Sequence, residues 1–249
     1  MVGKIRFHLT CALMVLFVGW VHCAVSAAEP DPKRGVYVIW LGNGADYDPN
    51  VFYGQPYIRG GQIVLQWADV HPGPAQYDFS EIDARLADLA RRNLYTTIQI
   101  NGNDKPDWLF EVVPYVKEKL SVQVGDKQGT LMYWHPAHRD AYLGMLKAFA
   151  EHMAKSPHKD TLLGIRMNFN AHGTEHHTVP PEYAGPEAWI LPQGMDRSTL
   201  VRWTPAVGEA YLKAVTDTYV ALFRDSGIRV FVRNSISEEQ EATYRPLFE

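Results

Sequence analysis

The chain has 249 residues, with 24 basic and 28 acidic side chains and a formal net charge of −4. This acidic balance argues against nucleic acid or anionic lipid as the main partner. The two cysteines, Cys11 and Cys23, both lie near the start of the chain, so the remainder offers no thiolate for a metal or a nucleophile.

Residues 1–27 have the pattern of a secretory signal peptide. Lys4 and Arg6 form a basic start, an apolar run follows from Leu9 to Val21, and small residues around Ala27 suit cleavage. Residues 28–249 contain no second apolar run long enough to span a bilayer. We therefore expect a secreted or periplasmic protein that leaves the membrane after cleavage and folds as one domain over residues 28–249.

Alternating strand and helix patterns follow in this domain. Short β-rich apolar runs that end in polar residues predict buried strands at 35–41, 62–66, 95–100, 162–169 and 228–232. Apolar residues at helical spacing predict helices at 81–92, 136–153 and 207–223. The longer segments 104–134 and 176–202 show neither pattern, and loops of that length are usually functional.

This alternation predicts a parallel sheet with right-handed crossovers. A (β/α)8 barrel needs eight strands, and an open sheet of five would leave its edges unpaired. The expected fold is therefore an α/β barrel of the TIM type, incomplete with about five βα units, as the amino-terminal part of a longer barrel.

Two motifs relate the chain to a known family. After the second strand it reads Trp67-Ala68-Asp69-Val70-His71-Pro72-Gly73-Pro74-Ala75-Gln76-Tyr77-Asp78-Phe79, and after the third it reads Pro106-Asp107-Trp108-Leu109. Over roughly residues 34–180 it resembles the catalytic barrel of family 42 β-galactosidase-like glycoside hydrolases. Two positions depart from the family pattern, because His71 replaces a Glu and Ala75 replaces a Gly.

The resemblance implies hydrolysis of O-glycosidic bonds in an oligosaccharide or polysaccharide, at the carboxyl ends of the strands and without a cofactor. The family's proton donor is a Glu directly after an Asn at the end of the fourth strand, and neither Asn168 nor Asn170 is followed by one. Glu175 is the nearest carboxylate and the candidate acid; its alternative is a solvated loop carboxylate. The family's nucleophile follows the seventh strand, which is expected beyond residue 249.

The candidate sugar-binding residues share a position at or just after predicted strand ends. Carboxamides can bond to sugar hydroxyls or instead cap strands, and indoles can stack on a sugar ring or instead pack in the core. The candidates are Asn101, Asn103, Asn168, Asn170, Asn234, Trp67 and Trp108.

Two other functions remain open. Without a Glu after Asn170, the domain could be a non-catalytic glycan-binding barrel. The residues from His172 to His176 match His-x-x-Glu-His, a zinc motif that works on a helix, but Gly173 and the following prolines disfavour a helix. A looser site of His172, His176 and His177 stays open, although no metal is the expectation.

Overall fold

The centre of the structure, a computed structural model, is a parallel sheet of five strands. The structure describes residues 31–39, 54–173 and 186–232, so the signal peptide predicted at residues 1–27 lies outside the described residues. Apart from Asp31, the described residues belong to one compact unit, Pro32–Glu249. No helix among them is both long and apolar enough to cross a membrane.

The five strands stand side by side in chain order. They are Val36–Val38 (β1), Ile58–Gln66 (β2), Tyr95–Asn101 (β3), Leu162–Arg166 (β6) and Arg229–Phe231 (β7), and every neighbouring pair is parallel. Successive strands of a (β/α)8 barrel are also parallel and pair with their neighbours in chain order. The prediction of an α/β fold with a parallel sheet is confirmed.

Helices occupy the crossovers. They are Trp67–Val70 (α1), Ser80–Arg91 (α2), Pro136–Lys155 (α3) and Pro205–Phe223 (α4). Both long helices begin with a proline at the first position, where no amide hydrogen is needed. The His135 and Thr204 side chains accept from the amides of Ala137 and Val207 and cap these two helices.

The two faces of the sheet differ in character. Ile63, Ile98 and Ile165 are fully buried in the core cluster, which also contains Leu86 of α2 and Phe149 of α3. Side chains along a strand point alternately to the two faces of the sheet, so the residues directly before and after each isoleucine point to the opposite face. The opposite face carries the polar residues Gln62, Gln66, Gln99 and Arg166.

Several predicted bounds differ from the structure; strand β6, for example, ends at Arg166 and not at residue 169. Strand β2 begins four residues before the predicted start, because Gly60 allows close pairing: a Cβ there would lie 1.6 Å from the Tyr95 carbonyl oxygen. The segment after β3 is less irregular than expected. It contains a 3-10 turn, Asp107–Glu111, and an antiparallel pair, Tyr115–Val116 (β4) with Thr130–Leu131 (β5).

Candidate functional site

Three of the predicted asparagines meet at the carboxyl edge of the sheet. Asn101 ends β3, and Asn168 and Asn170 follow β6. Asn168 Nδ2 donates to the Ile100 carbonyl oxygen at 2.6 Å and to Asn101 Oδ1 at 3.3 Å. Asn170 Nδ2 donates to the same carbonyl at 3.4 Å. The edge therefore carries a cluster of carboxamides, of which Asn101 is half-buried and the other two are enclosed.

A row of polar side chains leads from the sheet to this cluster. Gln62 Nε2 and Arg166 Nη1 donate to Gln99 Oε1 at 3.0 and 3.2 Å. Gln99 Nε2 in turn donates to Asn101 Oδ1 at 2.6 Å. This row joins β2, β3 and β6 across the polar face and fixes the orientation of Asn101 at its end.

The two candidate tryptophans differ in exposure. Trp67, at the start of α1, is 0% exposed, and its ring lies 5.1 Å from those of His138 and Tyr142. Trp108 is half-buried and packs against the core cluster. Burial favours core packing for Trp67 and leaves Trp108 as the candidate stacking surface.

His71 links these two tryptophans. Trp67 Nε1 donates to His71 Nδ1 at 3.1 Å, and Trp108 Nε1 donates to the His71 carbonyl oxygen at 3.1 Å. Because Nδ1 accepts, the proton of the neutral ring is assigned to Nε2. Burial lowers the pKa of His71 to about 4, so the ring is neutral near pH 7.

Of the other predicted site residues, the structure describes Asn103, and no hydrogen bond among the described residues joins its side chain to the cluster. Asn103 is half-buried in the loop after β3, where its carbonyl oxygen accepts from the Gly125 amide at 2.8 Å. Glu175 and Asn234 lie outside the described residues. Their roles remain predictions.

Sequence reasoning missed a buried lysine beside the cluster. Lys105 is 3% exposed, and its Nζ donates to the Gly102 carbonyl oxygen at 2.6 Å. Its amide donates to Asp126 Oδ1 at 2.7 Å. Burial lowers the pKa of the lysine and raises the pKa of Asp126 to about 6. The signal in the sequence was a lysine that directly follows a strand-end polar run and precedes Pro106.

Two histidines are buried here; sequence reasoning considered His172 only as a metal ligand and missed His138. His138 of α3 and His172, two residues after Asn170, are fully enclosed. Among the described residues, none of their four ring nitrogens has a hydrogen-bond partner. Burial, followed by the nearby charge of Lys105, lowers the pKa of both, that of His172 to about 3. His138 shares the buried face of α3 with Tyr142 and Met145, which was the detectable sign that it points inward.

A metal centre finds no support in the described part of the chain. It contains no group of three or more His, Cys, Asp or Glu side chains that could hold an ion. His176 and His177, the other members of the looser histidine site, lie outside it.

Two of the solved structures similar to this chain are β-galactosidases. No protein-family model and no curated protein matches the chain. The β-galactosidase from the psychrophilic Marinomonas ef1 has 12% identity and a TM-score of 0.45, over 79% of this chain and 36% of that one. The cold-adapted β-galactosidase from Rahnella sp. R3 has 16% identity and a TM-score of 0.38, over 81% and 36%. The chain spans about a third of each enzyme, and at these scores neither likeness bears on its activity.

Proposed function

We propose that this protein is an exported glycoside hydrolase-like protein, part of a (β/α)8 barrel, that acts on O-glycosidic bonds of an oligosaccharide or polysaccharide. The observation that carries the proposal is the meeting of Asn101, Asn168 and Asn170 at the carboxyl edge of a parallel sheet. This edge is where barrel enzymes place their active sites. Half-buried Trp108 supplies an apolar ring surface in the loop that follows β3.

The polar face of the sheet supports the barrel. In an open, doubly wound α/β sheet helices pack on both faces, whereas in a barrel the helices form only an outer ring. Here the face opposite the core carries the hydrogen-bonded row of Gln62, Gln99 and Arg166. Such residues suit the interior of a closed barrel, where they face one another across the axis instead of a helix.

The proposed chemistry needs two carboxyl groups. A retaining glycosidase holds them about 5–5.5 Å apart, one protonated to release the leaving oxygen and one ionised to attack the anomeric carbon. We assign the acid to Glu175, and the nucleophile to a residue after the seventh strand of the full barrel. Asn101 and Asn103 would bond to sugar hydroxyls, with Trp108 under the apolar face of the ring.

One observation favours a glycan-binding protein without catalysis as the second candidate. Ala171 follows Asn170 directly and is fully buried, at the position where the resembled family carries its proton donor. Lost chemistry at this position would leave a barrel that still binds sugars.

Substitution of Glu175 by Gln in the full natural chain tests the enzyme against the binding protein. We expect turnover of aryl glycosides to fall by at least a hundredfold, since general acid catalysis contributes about 10²–10⁴-fold. Sugar binding, measured by calorimetry, should persist. Glu187→Gln, a change at an exposed carboxylate, is the matched control and should leave turnover unchanged.

The outcomes separate the candidates. Unchanged turnover in Glu175→Gln removes this residue from the mechanism. Glycan binding by a wild-type protein that hydrolyses no glycoside supports the binding protein. Failure to bind any member of a glycan array refutes both.

A further inference from the structure

We propose that the most buried part of the sugar site binds a carboxylate through Lys105, His138, His172 and Asn170; this inference rests on the proposed function. The substrate class is then an acidic sugar, a uronate, and not a neutral hexose. These four residues are called the basic floor below.

The lysine and the asparagine of the basic floor meet at Gly102. Lys105 Nζ donates to the Gly102 carbonyl oxygen at 2.6 Å. A Cβ on Gly102 would lie 2.6 Å from Asn170 Cγ, so the carboxamide lies directly against this glycine. Asn170 has a φ of 46°, a left-handed conformation that Asn adopts more readily than most residues. Both groups therefore occupy the carboxyl edge between β3 and β6.

Each of the two histidine rings packs against an aromatic side chain. The His138 ring meets the Trp67 ring edge-on at 5.1 Å, and the His172 ring meets the Tyr133 ring edge-on at 5.0 Å. In the part of the chain that the structure describes, all four imidazole nitrogens and Asn170 Oδ1 are buried without a partner. Both histidines lie close enough to Lys105 for its charge to act on them. Buried polar groups are ordinarily hydrogen-bonded, so several unpartnered ones near one lysine point to a polar group that they receive.

The donors of the basic floor match a carboxylate. A lysine ammonium has three N–H donors, and among the described residues Nζ uses one of them, toward Gly102. Each neutral imidazole adds one N–H. A single negative charge among one ammonium and two imidazoles would gain charge-assisted hydrogen bonds, about twice as strong as neutral ones.

Two acidic neighbours act on the lysine. Burial lowers the pKa of Lys105, and the charges of Asp126 and Asp104 oppose that effect. Burial also raises the pKa of Asp126 to about 6, so this carboxyl holds its proton to a higher pH than a solvated aspartate. Among the described residues Lys105 Nζ makes one hydrogen bond, to Gly102, which leaves N–H donors for a ligand.

Asn170 extends the match from an anion to a sugar acid. Its Nδ2 is bonded to the Ile100 carbonyl, whereas its Oδ1 has no partner among the described residues and can accept from a hydroxyl. A uronate presents a hydroxyl next to its carboxylate, which a simple anion such as acetate lacks. The sugar ring would then lie toward the half-buried Asn101 and Trp108. Because the floor atoms are enclosed, binding requires displacement of the side chains that cover them.

A matched pair of sugars tests the inference. D-galacturonate and D-galactose differ at C6, where one carries a carboxylate and the other a hydroxymethyl group. We expect galacturonate to bind to the full natural chain at least tenfold more tightly by calorimetry. Lys105→Gln should abolish this preference, and Lys127→Gln, at an exposed lysine of the same loop, should retain it.

If the Lys105→Gln variant does not fold, an NMR measurement on the wild-type protein tests the same inference. With histidines labelled for NMR, galacturonate should shift the ring signals of His138 and His172, while galactose should leave them in place. Equal affinity for the two sugars, or a preference that survives Lys105→Gln, overturns the inference and leaves the proposed function standing. Binding of no sugar, neutral or acidic, overturns the proposed function itself.

Discussion

Acid should destabilise this protein through His172, and the size of the effect follows from its burial. The ordinary pKa of histidine is 6.5, and in the folded protein burial lowers that of His172 to about 3. The unfolded chain therefore takes up a proton near pH 6.5 that the folded chain refuses. Stability is fully present above this pH and falls by about 1.4 kcal/mol per pH unit below it, down to about pH 3.

At pH 5 this single group accounts for a loss of about 2 kcal/mol relative to pH 8. Asp126 works in the opposite direction, because its raised pKa of about 6 makes the folded state the better proton binder below that pH. A comparison of wild type with His172→Asn cancels this contribution and those of the other groups. The difference between their pH dependences then isolates His172.

The assay is urea unfolding followed by tryptophan fluorescence at pH 8 and pH 5, in buffers that contain no carboxylate. The free energy of unfolding of wild type should fall by about 2 kcal/mol more than that of His172→Asn. His158→Asn, at a half-buried histidine outside the basic floor, is the matched control and should follow wild type. A His172→Asn protein that keeps the full wild-type pH dependence refutes the reasoning.

Three further predictions concern stability, all measured by chemical unfolding. Gly129→Ala should cost about 1–3 kcal/mol, because φ is +126° and a Cβ would lie 1.9 Å from a carbonyl oxygen; Gly54→Ala, in open space, should cost less than about 0.5. Tyr142→Phe should cost about 1–3 kcal/mol, since the hydroxyl donates at 2.7 Å to a buried carbonyl that follows β6. Asp83→Asn should cost under about 1 kcal/mol, as its 2.8 Å contact with His152 is partly exposed. An unchanged free energy of unfolding in Gly129→Ala or Tyr142→Phe, or a large loss of stability in Asp83→Asn, would contradict the packing described.

Local patterns in the sequence predicted the parallel sheet. Apolar runs such as Ile63-Val64-Leu65 and apolar residues at helical spacing, as over 136–153, depend on neighbours in the chain, so they can be recognised without coordinates. The early start of β2 could not be recognised this way. Gly60 and Gly61 lower the strand propensity of that segment, and the close approach to β3 that requires Gly60 is a tertiary contact.

The site was predicted less completely than the fold. Position after a strand identified Asn101, Asn168 and Asn170 as neighbours, because carboxyl ends of parallel strands share one edge. The same reasoning could not separate the buried Trp67 from the half-buried Trp108. It also passed over Lys105 and His138, whose burial depends on contacts between segments far apart in the chain.

The double attachment at His71 has a mechanical consequence. The Trp67 indole donates to the His71 ring, and the Trp108 indole donates to the His71 carbonyl oxygen. The Trp67 bond holds His71 within the turn after β2, and the partly buried Trp108 bond ties that turn to the loop after β3. The two segments cannot separate here without breaking the Trp108 bond, so adjustment to ligands of different width would involve other loops at this edge of the sheet.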